Sequence, residues 1–185
     1  AADITIQCPA VAQFTAPNAI DNCSDVTIIP IRSVTVNGVC PGTGITTVTW
    51  VAEDACGNLS EEVSQTITVV DTTAPVWTAV YPDMSITCPE QPQFDIPTAS
   101  DACSVATVIE VSDVTEEGEC AGSYTRTKTW KAVDACGNES QLYSQSIEVI
   151  DTTAPSIISA AADITIQCPA VAQFTAPNAI DNCSD

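Results

Sequence analysis

Short segments in which apolar and polar or β-branched residues alternate follow one another along the chain, separated by residues that favour turns. This pattern predicts strands over residues 3–7, 26–36, 44–52 and 63–70. A further strand is predicted over 12–19, where Pro17 suits an edge or a bulge. Pro30 is expected to divide the strand over 26–36, and Asn37-Gly38 predicts a tight turn. No segment has a helical period, so the pattern indicates an antiparallel β-sandwich.

The strand pattern recurs along the chain, and Cys8, Cys88 and Cys168 mark equivalent positions in successive repeats. Residues 161–185 are identical to residues 1–25, and residues 1–80 agree with 81–160 at 37 of 80 positions without a gap. We therefore predict all-β tandem domains of about 80 residues arranged end to end, as expected for a repeat array. The predicted domains are 1–75, 76–155 and an incomplete third repeat, 156–185. The chain is interpreted as one period of a polymer, positions 1–160, plus the start of the next.

Ten cysteines are distributed evenly, four in each full repeat and two in the third. In the first repeat they are Cys8, Cys23, Cys40 and Cys56, and no CxxC motif occurs in the chain. Because the chain also has no histidine, histidine-ligated zinc and histidine-dependent catalysis are excluded. The cysteines are therefore expected to form structural disulfides, which implies an oxidising compartment: a secreted (extracellular), periplasmic or cell-surface location.

The formal charge is −20, with 24 acidic residues against four basic ones. Nucleic acids and anionic membrane surfaces attract basic patches, so neither is expected as a partner. No run of about 18 apolar residues occurs, and we expect no membrane insertion. The acidity permits cation binding.

Four segments together are similar to a known family: DITIQCP, PNAIDNCS, TTVTWVAEDACGN and SQTITVVDTTAP. They resemble the HYR-type immunoglobulin-like repeat, in the form found in tandem in large secreted and cell-surface proteins of Bacteroidetes-type bacteria. The resemblance implies an extracellular immunoglobulin-like sandwich that serves as a stalk or adhesion module. The familiar form often has a cysteine in its last strand, but residues 63–70 contain none. Its disulfide pairing therefore does not carry over.

The predicted strand directions place the cysteines at two ends of each domain. If the first strand runs from an upper to a lower end, Cys8 and Cys40 lie at the lower end, and Cys23 and Cys56 at the upper end. Cys40 and Cys56 then flank a strand roughly 30 Å long, whereas a disulfide needs Cα atoms within about 7 Å. The predicted bonds are Cys8–Cys40, Cys23–Cys56, Cys88–Cys120 and Cys103–Cys136.

One alternative to this pairing is sequential, Cys8–Cys23 with Cys40–Cys56. In the predicted scheme, Cys168 and Cys183 have no partner within the chain. Their partners are expected in a continuing chain or in a neighbouring subunit.

Acidic residues are concentrated in the upper loops and in the DTTAP linkers, where they suggest a cation site. Calcium binds six to eight oxygens, several of them from carboxylates. We predict calcium at the junction between domains, held by Asp71, Asp83, Asp101 and Asp134. The alternative is that these residues only stabilise turns by bonding their own backbone.

Few other side chains suggest a site. Trp50 and Trp130 are expected in the core rather than as ligand-stacking rings. Arg126 and Lys128 share a face with Trp130, which indicates either a lateral contact with an acidic neighbour or a solvated strand end. Asn58 and Asn138 fit the acceptor pattern for N-glycosylation.

No catalytic constellation is evident, because a thin repeated sandwich offers no cleft for paired carboxylates and no glycine-rich phosphate loop occurs. We therefore expect a structural protein, not an enzyme: a disulfide-stapled array that forms a fibre or an adhesin stalk. The expected partner is the array itself, through self-association or continuation into identical repeats, including donor-strand exchange. The alternative function is a surface module that binds carbohydrate or protein.

Overall fold

A computed structural model of the chain describes residues 2–183. The outer ends of the first and third predicted domains, Ala1 and Ser184-Asp185, lie outside the described residues. Within 2–183 the regular structure consists of strands alone, which confirms the predicted all-β class. The strands are β1 Ile4–Gln7, β2 Val26–Asn37, β3 Gly44–Asp54, β4 Val63–Val70, β5 Val76–Ala79, β6 Met84–Thr87, β7 Thr98–Ser100, β8 Thr107–Glu117, β9 Tyr124–Val133, β10 Tyr143–Ile150, β11 Ser156–Ser159 and β12 Asn178–Ile180.

The first repeat forms a four-stranded sheet in the order β1-β4-β3-β2. Strands β2, β3 and β4 are antiparallel neighbours, as their alternating pattern predicted. Strand β1 pairs with β4 in parallel, which the sequence did not indicate. Both strands therefore finish at the lower end, where the amide of Cys8 donates to the carbonyl of Val70 at 2.8 Å.

Two predictions about the strands of the first repeat are wrong. Pro30 does not divide β2; the register shifts between Pro30 and Arg32, and the strand continues past this irregularity. Residues 12–19 form no strand. In the second repeat, the residues equivalent to 12–17 form no strand either, and only those equivalent to 18–20 do, as β7 paired with β5.

The second repeat reproduces the first sheet with its own equivalent strands, in the order β6-β10-β9-β8. Its parallel pair places Ile147 opposite Met84, as Ile67 lies opposite Ile4 in the first sheet. The antiparallel pairs β5–β7 and β11–β12 form separate two-stranded sheets. Each four-stranded sheet falls within one predicted domain, although the domain boundaries themselves stay a prediction.

The described chain divides into two compact units that do not coincide with the repeats. The first unit contains the chain up to Ala79 together with Thr98–Ile109 and Lys131–Gln141. The second contains Val80–Pro97, Glu110–Trp130 and the chain from Leu142 onwards. The loops at the upper end of the second repeat therefore belong to the same compact unit as the first repeat.

A tryptophan anchors the core of each sheet. Trp50 is 5% exposed and Trp130 is 3% exposed, which confirms the prediction that both are core residues. Each packs against a phenylalanine of its own repeat, Phe14 at 6.4 Å and Phe94 at 6.2 Å between ring centres. Ile67 and Ile147, next to the parallel strands, are almost completely buried.

Candidate functional site

Two disulfides join the lower end of the first repeat to the upper end of the second. Cys8 is bonded to Cys103, with Cα atoms 5.8 Å apart, and Cys40 is bonded to Cys136, with Cα atoms 5.1 Å apart. All four cysteines belong to the first compact unit. We call this pair of disulfides, with the residues around it, the junction site.

The predicted disulfide pairing is wrong. Cys8 does not bond Cys40, Cys103 does not bond Cys136, and both Cys23 and Cys56 are free. Cys88 bonds Cys183 rather than Cys120, so the prediction that Cys183 is unpaired also fails. The predicted placement at two ends is nevertheless correct, because Cys8 and Cys40 do lie together at the lower end. The predicted pairing assumes that each repeat is a closed domain, whereas Cys8, Cys40 and Cys88 at lower ends bond to upper-end cysteines of the following repeat.

Carboxylate-centred turns present Cys103 and Cys136. One oxygen of Asp101 accepts the amide of Cys103 at 2.8 Å, and one oxygen of Asp134 accepts the amide of Cys136 at 2.8 Å. The hydroxyl of Ser104 accepts the amide of Ala135 at 3.1 Å and links the two loops. Aspartate favours such turns because its short side chain bonds the backbone two residues ahead. These hydrogen bonds hold together the two loops that carry Cys103 and Cys136.

The turn between β2 and β3 presents Cys40 and lies close to the sulfur of Cys8. Gly42 has a φ of 76°, and a Cβ at this position would lie 2.9 Å from the sulfur of Cys8. The hydroxyl of Thr43 donates to the carbonyl of Cys40 at 2.7 Å and fixes the turn. Glycine is needed here both for its backbone conformation and for the space it leaves.

Two carboxylates lie beside the disulfides. Oxygens of Asp71 and Asp101 and the sulfur of Cys103 all lie within 4.8 Å of one another. Asp71 is 8% exposed, and one of its oxygens accepts hydrogen bonds from Gln7 at 3.2 Å and from the amide of Thr73 at 3.1 Å. The second oxygen of Asp71 and that of Asp101 are buried and have no hydrogen-bond partner within the described chain. Two such buried oxygens are unfavourable without a polar partner, and a bound cation would supply one.

The other two predicted ligands do not join this pair. The second oxygen of Asp134 accepts a hydrogen bond from the side-chain amide of Asn138 at 2.8 Å. The same amide donates to the backbone carbonyl of Asp71 at 3.3 Å. Burial raises the pKa of Asp134, but hydrogen bonds from Asn138 and from backbone amides outweigh it and leave the pKa lowered. Asp83 belongs to the second compact unit, where it accepts the amide of Ser146 at 2.7 Å.

The residues at the junction site fit a hard cation in part. Asp71 and Asp101 supply carboxylate oxygens of the kind that calcium prefers, and water would have to complete the coordination. The sulfur of Cys103 is bonded to Cys8, so no thiolate is available there. The same grouping recurs at the equivalent positions of the following repeat, where Asp151, Asp181 and Cys183 lie equally close together.

The basic residues are paired within their own repeats. Arg126 contacts Asp113 at 2.6 Å, and Lys128 contacts Glu110 at 2.7 Å, both across to β8. The hydrogen bond from Arg126 lowers the pKa of Asp113 to about 2. Lys131 and Arg32 form ion pairs with Glu139 and Glu62. The charges proposed for a lateral contact are therefore already balanced locally, which favours the solvated strand-end interpretation.

Both predicted glycan acceptors use their amide nitrogens in hydrogen bonds. Asn58 donates to Asp54 at 2.7 Å, and Asn138 donates to Asp134 at 2.8 Å. N-glycosylation modifies this nitrogen and would displace these bonds. Glycosylation stays a prediction, and the turns observed here compete with it.

No protein-family model matches the chain, and no curated protein matches it in sequence. Among solved structures, the chain is similar to human protocadherin-24 EC1-2, at 15% identity and a TM-score of 0.34, over 82% of this chain and 95% of that one. It is also similar to extracellular cadherin domains 1–4 of protocadherin gamma B7, at 15% identity and a TM-score of 0.36, over 88% of this chain and 53% of that one. Drosophila N-cadherin EC1-4 is similar at 12% identity and a TM-score of 0.31, over 71% of this chain and 42% of that one. Likenesses this low carry no argument about function.

The residues described by the structure include no helix that is long and apolar enough to cross a membrane.

Proposed function

We propose that this chain is a structural element of an extracellular fibre or stalk, built from HYR-like immunoglobulin sandwiches joined end to end. The observation that carries the proposal is the junction site, where two disulfides tie successive repeats together. Disulfides inside a domain stabilise that domain, whereas disulfides between repeats resist their separation. Such bonds suit a module whose task is to transmit or resist force.

The proposed location is the cell surface or the surrounding medium. Three disulfides persist only in an oxidising compartment, and the resemblance to HYR repeats points to the same place. We propose no catalytic activity. The alternative role in binding carbohydrate gains no support from Trp50 and Trp130, because both rings are buried.

Electron microscopy of the native material tests the structural role. We expect filaments or elongated stalks in which the repeats follow one another. Isolated globular particles would count against the proposal.

We further propose that a divalent cation, calcium in the first instance, binds between Asp71 and Asp101. The support is the two buried carboxylate oxygens without a protein partner, whose repulsion a cation would remove. Ligand binding to the native state raises the melting temperature by mass action.

Thermal unfolding in calcium and in a chelator tests the cation site. We expect a lower melting temperature in the chelator for the wild-type chain and for the control Glu61→Gln, which changes an exposed carboxylate. Asp71→Asn with Asp101→Asn should melt at the same temperature in both solutions. An unchanged melting temperature of the wild-type chain would contradict the proposed calcium site.

A further inference from the structure

The proposed cation site and the Cys8–Cys103 disulfide join the same two segments of the chain. Asp71 follows directly after β4, and Asp101 lies in the loop that follows β7. The disulfide connects Cys8, at the end of β1, to Cys103 in that same loop. All four residues belong to the first compact unit. Two links between the same segments are not expected to form independently of each other.

Hydrogen bonds hold Asp71 against the segment that carries Cys8. The side-chain amide of Gln7 donates to one oxygen of Asp71 at 3.2 Å. The amide of Cys8 donates to the carbonyl of Val70, the residue before Asp71, at 2.8 Å. The positions of the Asp71 carboxylate and of Cys8 are therefore set together.

The loop after β7 holds Asp101 and Cys103 together in a similar way. One oxygen of Asp101 accepts the amides of Cys103 at 2.8 Å and of Ser104 at 3.1 Å. Its other oxygen is buried and has no hydrogen-bond partner within the described chain, and the same is true of the second oxygen of Asp71. A cation between the two carboxylates would therefore close the same contact that the sulfur–sulfur bond closes.

We propose that calcium binding between Asp71 and Asp101 is coupled to the Cys8–Cys103 bond, so that each favours the other. The disulfide keeps the two carboxylates at the separation that the cation needs, and the cation keeps the two sulfurs close. The entropy of ordering the two segments is then lost once instead of twice. Thermodynamic linkage requires the two effects to have the same factor. This inference deepens the proposed function and rests on the proposed cation site, because it states how that site is regulated.

Reduction of the disulfide needs two molecules of a low-molecular-weight thiol. The first thiolate attacks one sulfur of the bond and forms a mixed disulfide, and the second thiolate attacks the sulfur of the first reductant. The products are the thiols of Cys8 and Cys103 and one low-molecular-weight disulfide. Two electrons and two protons pass from the reductant to the protein. A cation that binds the closed site more tightly shifts this equilibrium towards the protein disulfide and takes no part in the electron transfer.

The Cys40–Cys136 bond provides an internal comparison. It lies in the same compact unit, so a general stabilisation of the fold by calcium would protect both bonds to the same extent. The amide of Cys136 is held by Asp134, which is not one of the two proposed ligands. Local coupling therefore predicts a larger effect of calcium on the Cys8–Cys103 bond.

A redox titration of the full 185-residue chain tests the coupling. The chain is equilibrated at constant pH in glutathione buffers of increasing reducing strength, with calcium chloride or with a chelator. Each bond is quantified by differential alkylation and mass spectrometry. We expect calcium to raise the equilibrium constant for the Cys8–Cys103 bond about tenfold, and that for Cys40–Cys136 by less. Glu61→Gln should behave as the wild-type chain, and Asp71→Asn with Asp101→Asn should abolish the shift.

Calorimetric titration with calcium chloride measures the reciprocal effect. The double variant Cys8→Ser with Cys103→Ser should bind calcium about tenfold more weakly than the oxidised wild-type chain. The control Cys168→Ser removes an exposed free cysteine and should retain the wild-type affinity. If the double variant does not fold, the redox titration of the wild-type chain decides alone.

Two results would overturn the coupling and leave the cation site standing. One is an equal calcium shift of the Cys8–Cys103 and Cys40–Cys136 bonds, and the other is an unchanged calcium affinity in the folded Cys8→Ser, Cys103→Ser variant. Absence of calcium binding to the oxidised wild-type chain would refute both the coupling and the cation site. The fibre function is decided separately, by the electron microscopy of native material.

Discussion

Removing the Cys40–Cys136 bond should cost a large share of the stability of the first compact unit. With Cys8–Cys103 intact, the ring that this second bond closes runs through segments 8–40 and 103–136. A ring of about 65 residues corresponds to about 4 kcal/mol of unfolded-state entropy at 25 °C. With a urea m-value of about 2 kcal/mol/M, the unfolding midpoint should fall by about 2 M.

A double-mutant cycle separates this bond from the alternative pairings. Urea unfolding is followed without reductant by tryptophan fluorescence for Cys40→Ser, Cys136→Ser and the double variant. Because the two residues share one bond, each single change should cost nearly as much as both together. The control Cys120→Ser removes a free thiol and should shift the free energy of unfolding by less than about 0.5 kcal/mol. Additive losses from Cys40→Ser and Cys136→Ser would mean that each cysteine bonds another partner.

Three further predictions concern Trp130 and Asp113 of the second sheet and Gly42 of the turn between β2 and β3. Trp130→Ala should destabilise the protein by about 3–5 kcal/mol in urea unfolding, because the ring is 3% exposed; a loss below about 1 kcal/mol would contradict its place in the core. The pKa of Asp113 is depressed from 3.8 to about 2, so its contribution to stability is present above about pH 4 and is lost as the pH falls through 2. Arg126→Ala should raise this pKa towards 3.8 in an NMR titration of the carboxyl carbon, and an unchanged pKa would refute the assigned cause. Gly42→Ala should cost about 1–2 kcal/mol in thermal or urea unfolding because φ is 76° at this position, and no loss would show that the turn tolerates a side chain.

Alternation along the chain was sufficient to predict most strands of the first sheet. Strands β2, β3 and β4 follow the predicted segments, because a period of two places one side of each strand in the core. Residues 12–19 show where such local reasoning fails. Their composition permits a strand, but strand formation also depends on a neighbour, which a sequence pattern does not reveal.

The local sequence pattern could not predict the parallel pairing of β1 with β4 either, for a related reason. Alternation specifies which face of a strand is buried, but not the strand beside it. This pairing brings the end of β1 next to Val70, and it places Cys8 beside the DTTAP linker.

The candidate site was predictable in its parts but not in its connections. The even spacing of cysteines placed two of them at each end of a repeat, as observed. It did not distinguish a bond within a repeat from a bond to the next one, because both satisfy the distance limit once successive repeats are in contact. For the carboxylates, the sequence grouped four residues, and only Asp71 and Asp101 come together. The second oxygen of Asp134 is taken up by the side-chain amide of Asn138, and Asp83 lies in the second compact unit.

Peptide mapping of the non-reduced protein tests the central claim most directly. Proteolysis without reduction, followed by mass spectrometry, should recover Cys8 linked to Cys103 and Cys40 linked to Cys136. Recovery of Cys8 linked to Cys40, with Cys103 linked to Cys136, would show that each repeat is closed on itself and would contradict the junction site.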